Sequence, residues 1–148
     1  MSYRERRAIA SLISAILFSA FYFVYVLQRF PVGNAYSIDV FHFWGSTIFI
    51  LIPVSIVINI VTDIVSSIII TIATNEKAPP FSDERDKLIE LKSTRNTFYI
   101  FTFGFVLSMG SLAIDMPPSV MFIILIFSGT IAGIVGNITQ LYFYRRGF

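Results

Sequence analysis

Apolar residues fall into four blocks separated by short polar stretches, at residues 8–27, 41–74, 96–114 and 119–142. About 20 helical residues cross a hydrocarbon core of about 30 Å. Backbone that faces lipid has to satisfy its own hydrogen bonds, so each block is predicted to be a helix. The connections carry turn chemistry: Pro31, Gly33 and Asn34 within 28–40, the charged stretch 75–95, and the tight "DMPPS" at 115–119.

The second block is too long for one crossing. At 1.5 Å per residue it reaches about 50 Å, and a tilt of about 20° absorbs little of that. Two crossings would need about 40 apolar residues and a turn. The helix therefore either bends, with Pro53 as the place to do so, or projects beyond the bilayer. Trp44, with His42 beside it, is expected to anchor the outer interface. Counting about 20 residues inward from Phe43 puts the inner boundary near Thr62 and Asp63. Asp63 then sits at the rim, and "IVSSIIITIAT" at 64–74 projects and needs a cover.

The central connection offers one. Pro79 and Pro80 stop the preceding helix, and Ser82 or Asp83 can cap a new one with an acidic first turn. Asp83 and Lys87 make a helix-supporting i,i+4 pair. Leu88, Ile89 and Leu91 form a narrow apolar stripe, and no breaker separates them from the third block, so one helix is predicted over 83–114. Folding 41–74 and 83–114 as a hairpin about residues 78–79 sets Asp63 beside Arg95 at the base of a tip spanning 64–95. An Asp63–Arg95 ion pair is expected there, with Arg7 and Arg145 as rival partners.

Charge placement orients the bundle. Arg4, Arg6 and Arg7 precede the first block, Lys77, Arg85, Lys87, Lys92 and Arg95 lie around the central connection, and Arg145 and Arg146 follow the fourth, leaving Arg29 alone on the other side. The positive-inside rule makes both termini and the central connection cytoplasmic. So strong a bias also argues against insertion in both orientations. The fold expected is an all-α integral membrane bundle of four transmembrane helices, N-in and C-in, forming a single domain, with helices two and three extended as a cytoplasmic hairpin. The apolar run at the N-terminus is longer than a signal-peptide core and reads as a retained span.

Composition narrows the chemistry. The chain is 55% hydrophobic and 14% charged, with a mean hydropathy of +0.76, where soluble domains carry about a quarter charged residues. Cysteine is absent, which removes disulfides, thiolate catalysis and Cys-ligated metals. A net charge of +2 gives no reason to expect nucleic acid. There is no HExxH, Walker loop, GxSxG or dinucleotide fingerprint, so neither an enzyme nor a cofactor is expected. His42, the one histidine, reads as an interfacial ring.

Three constellations remain. Asn59, Asp63, Asn137 and Gln140, with Arg95, form a candidate polar cluster; a similarity between "NIVTDI" at 59–64 and "NITQL" at 137–141 raises an internal repeat. Gly129 and Gly133, extended by Gly136, read as a close-packing helix face, within the chain or at a homodimer seam. Asp83, Glu84, Arg85 and Asp86 form a charged helix start and a candidate partner-docking surface.

"DERD" at 83–86 and the following "KLIELKSTR", together with the four-span layout, resemble a group of uncharacterised prokaryotic membrane proteins. The resemblance implies a multi-pass protein of the prokaryotic plasma (inner) membrane and no particular activity. The function expected is association, as an accessory, regulatory or immunity-type subunit. Its partners would be the lipid bilayer and either a second copy or another membrane protein. The alternative is a small oligomeric proton- or cation-coupled transporter or channel built on Asp63 and its neighbouring amides.

Overall fold

A computed structural model describes residues 2–31 and 33–147. Four helices account for nearly all of them: α1 (Tyr3–Gln28), α2 (Ile38–Thr74), α3 (Glu84–Ala113) and α4 (Pro118–Arg146). All four are long and apolar enough to cross a membrane, which makes this a multi-pass membrane protein. Being even in number, they bring both described ends of the chain to one end of the bundle, here the terminal end; the 29–37 and 114–117 connections close the opposite, or loop, end.

Local chemistry sets the helix ends. Ser2 caps α1 and Ser37 caps α2 through their side-chain oxygens. Asp83 caps α3, with Asp86 returning a bond to the Asp83 N–H to complete a capping box. α2 ends on Asn75 in the left-handed region, and Asp115 takes a similar conformation after α3; short polar side chains tolerate that geometry best. α2 runs unbroken through Pro53 as one helix of 37 residues.

The packing order across the bundle is α2, α1, α4, α3. α4 is the hub, lying against α3 along its length and against α1, and touching α2 only at the loop end. α2 and α3 do not pack on each other, so the expected hairpin of helices two and three does not form. The physical reason lies in the faces on offer. Ser93, Gly104, Ser108 and Ser111 of α3 are buried, and they meet small residues and bare carbonyls on α4. The Ser93 hydroxyl donates to Gly136 O (2.7 Å) and Ser108 to Met121 O (2.9 Å). α2, mostly isoleucine and valine, offers no comparable run of small residues for close approach. This asymmetry also speaks against a pseudo-symmetric repeat, since α1 packs on α4 while its counterpart pair, α3 and α2, stays apart.

Trp44 departs from the expected interfacial belt. Its side chain is fully buried, stacked on Phe122 at 5.8 Å with Phe30 and Phe43 against it, and its indole N–H donates to the Ser119 hydroxyl (3.3 Å). With Val26, Val40 and Ile126 it forms the apolar core that fills the loop end. Tyr22 adds a bond from its hydroxyl to Thr47 O.

Toward the terminal end the helices finish unevenly. Tyr3, at the start of α1, donates from its hydroxyl to Ser67 (2.8 Å), whereas α2 continues to Thr74, an overhang of about 10 Å. α1, α3 and α4 end level with one another, since Arg4 reaches Asp86 and Arg85 reaches Phe143 O.

Candidate functional site

At the terminal end the four helices splay around a cavity of about 360 Å³. α1 contributes Arg4, Arg7, Ala8 and Ser11; α2 contributes Asn59 and Asp63; α3 contributes Asp86 and Glu90; α4 contributes Asn137, Gln140 and Tyr144. The four residues Asn59, Asp63, Asn137 and Gln140, far apart in sequence, thus line one space. Arg95 does not join them. It is exposed on α3, and Asp63 is instead gripped by Arg7, with Nη2 to Oδ2 at 2.8 Å and Nε donating to Oδ1 at 3.2 Å. The ion pair forms with a rival partner because α1, and not α3, is the neighbour of α2. Two-point contact of this kind is the strong form of an arginine–carboxylate bond.

A second pair closes the mouth. Arg4 Nη2 lies 2.8 Å from Asp86 Oδ2 and also donates to Phe81 O (3.1 Å). Deeper in, Ser11 donates to Asn137 Oδ1 (3.4 Å), and Ser14 and Thr62 share a hydroxyl bond of 2.7 Å. Asn59, Gln140 and Glu90 line the cavity yet make no side-chain hydrogen bond or ion pair among the described residues. Asn59 lies one turn, about 6 Å, nearer the loop end than Asp63. Asn59 is exposed there, so its carboxamide is open to water or a ligand.

The "DERD" stretch is knitted into the fold. Asp83 caps α3, Asp86 is buried and holds Arg4, and the Arg85 guanidinium donates to Phe143 O (3.4 Å) near the C-terminus of α4. Asp86 is thus turned inward, while Asp83, Glu84 and Arg85 stay exposed at the start of α3.

The glycines divide differently from their spacing. A Cβ on Gly136 would lie 2.4 Å from Thr97 Oγ1, and one on Gly104 would lie 2.0 Å from Ser128 Cβ, so these two sit where α3 and α4 approach most closely. Gly129 and Gly133 are exposed, and nothing lies within 4 Å of a Cβ at Gly133. The close-packed face of α4 is thus Ser128, Ala132 and Gly136, and the Gly129–Gly133 pair belongs to a neighbouring, open face. At 100° per residue that open face also carries Phe122 toward the loop end and Asn137, Gln140 and Tyr144 toward the terminal end.

Residues missed from sequence are Glu90, Tyr144 and Arg4. The signal for Tyr144 was its place one turn past Gln140 on the α4 strip; nothing in the sequence marked Glu90. Among the described residues no group of three histidine, aspartate or glutamate side chains is placed to hold a metal. No family model, curated protein or solved structure matches the chain.

Proposed function

We propose that this is a small non-enzymatic membrane protein that acts by association, as an accessory, regulatory or immunity-type subunit, in the plasma membrane of a prokaryote with its terminal end in the cytoplasm. The orientation rests on the arginines and lysines gathered at that end. The observation that carries the reading is the overhang of α2. α2 is 37 residues long, about 55 Å as a helix and well beyond a hydrocarbon core of about 30 Å. With the Arg7–Asp63 pair at the inner rim, the residues after Asp63 pass through the headgroup layer and beyond. There Ile68, Ile69 and Ile72 are more than half exposed, Ile72 at 76%, and neither α3 nor α4 covers them. An isoleucine-rich stretch outside the bilayer is a surface for another chain, a second copy or a different membrane protein.

The chain has no native cysteine, so single cysteines report directly. Ile72→Cys is expected to crosslink in native membranes with a short bifunctional maleimide, while Phe49→Cys, 78% exposed within the span, is not. Crosslinking at neither position, or equally at both, counts against a specific partner on the overhang.

The transport reading draws on the polar cavity. Against it stand the sealed loop end, where Trp44, Phe122, Val26 and Ile126 leave no path onward, and the commitment of Asp63 to Arg7. Vesicles containing the protein are expected to hold an imposed proton gradient as long as empty ones. Dissipation by the wild type that Asp63→Asn removes would establish transport in its place.

A further inference from the structure

The cavity at the terminal end is more than an entrance for water. It is lined by two guanidinium groups and three carboxylates; two carboxylates are neutralised by Arg4 and Arg7, and Glu90 is left over. Each guanidinium has five N–H donors, and these bonds use only part of that set. The site therefore offers one free anion, several free N–H donors and the amides of Asn59 and Gln140. Its volume falls in the range of small-ligand pockets. The open face of α4 leads out of it: Gly133 and Gly129 carry no side chain, and α2 and α3 do not meet across them. Phe122, stacked under Trp44, stops this lane at the loop end.

We propose that the cavity and lane together hold one aminophospholipid from the leaflet at the terminal end. Its ammonium sits on Glu90, its phosphate takes N–H donors of Arg4 and Arg7, and one acyl chain lies along Gly133 and Gly129. The charge balance selects the headgroup. An anionic headgroup would meet Glu90 without a counter-charge, and a simple cation would leave the arginine donors unused. The glycine lane selects a lipid over a soluble phosphoamine, since a bare helix surface between two separated helices fits a hydrocarbon chain and gives a water-soluble ligand nothing. This inference is independent of the overhang and of any partner bound there.

The test uses the full chain in vesicles of equal phosphatidylethanolamine and phosphatidylglycerol, extracted gently for native mass spectrometry. One phosphatidylethanolamine per chain should be retained. Glu90→Gln should lower the ethanolamine-over-glycerol preference about tenfold, the loss of one charge-assisted bond. Gly133→Leu, at a position with nothing within 4 Å, should abolish retention of both lipids while helix content and melting temperature stay unchanged. Retention without preference, preference for phosphatidylglycerol, or a Glu90→Gln protein indistinguishable from wild type overturns the proposal. Displacement by soluble glycerophosphoethanolamine at the lipid's own affinity overturns it too, because the lane would then contribute nothing.

Discussion

Gly104 and Gly136 set the distance between α3 and α4, because one added carbon at either would overlap a neighbour. Overpacking of this kind typically costs about 1–3 kcal/mol. Gly104→Ala is therefore expected to lower resistance to unfolding in a detergent titration, and Ser128→Gly in the same chain to restore much of it, since it removes the opposing Cβ. Gly133→Ala should change nothing. The sequence could not separate these cases. Ala132–Gly136 and Gly129–Gly133 are both four-residue small pairs, set about 60° apart around one helix, and only the neighbours decide which is buried. Asp63 teaches the same lesson. Its need for an arginine was legible from the cost of a lone carboxylate in an apolar run. The choice of Arg7 over Arg95 followed from helix order, which no residue near Asp63 encodes. Arg7→Ala is expected to destabilise more than Asp63→Asn, by thermal unfolding in one detergent, because it strands a carboxylate where the other substitution leaves a neutral amide.

At the scale of elements, the first turn of α3 concentrates several jobs in a few residues. Asp83→Ala removes a cap worth about 1 kcal/mol. Asp86→Ala removes the reciprocal bond of the capping box and also frees Arg4 from a carboxylate whose residue is only 7% exposed. Amide hydrogen exchange at residues 84–87 should accelerate in both variants, and more in Asp86→Ala, which alone should also loosen the start of α1. The cap was readable from "SDERD" because it depends on local backbone chemistry. The arginine bridges to α1 and α4 were not, because they join segments far apart in the chain. α2 shows the complementary case. Its unusual length was legible, whereas which of its faces stay open, with Ile68, Ile69 and Ile72 exposed and Ser66 and Ile70 buried, depends on α3 finding a better partner in α4.

For the whole molecule, the four apolar helices and the shared end of the termini follow from apolar block length, which the bilayer makes a strict ruler. The packing order does not, since lipid is as apolar as the helices and association turns on small faces and hydrogen bonds. The bundle is consequently unequal: α3 and α4 are zipped by glycine and serine, while α2 leans on α1 through a few hydroxyls and one ion pair. As detergent denaturant is raised, a cysteine at Thr62 on the α1–α2 seam is expected to become reactive before one at Ser93 on the α3–α4 seam. The reverse order would mean that α2 is held by more than the contacts described.

The hub position of α4 has a consequence for how the protein is made. A ribosome delivers α1, α2 and α3 to the membrane before the one helix on which α3 packs exists. Until α4 arrives, the serine face of α3 has no companion, and α1 has only half of its final surroundings. Assembly therefore cannot proceed helix by helix and waits for the last span to be released. In chains ended at residue 116, cysteines at Ser14 and Thr62, whose hydroxyls lie 2.7 Å apart, should already join as a disulfide. A cysteine at Ser93 should stay open to a lipid-soluble maleimide in those chains and be shielded only in the full-length one. During that interval the half-built bundle is a natural client for insertion machinery that shelters polar faces in lipid.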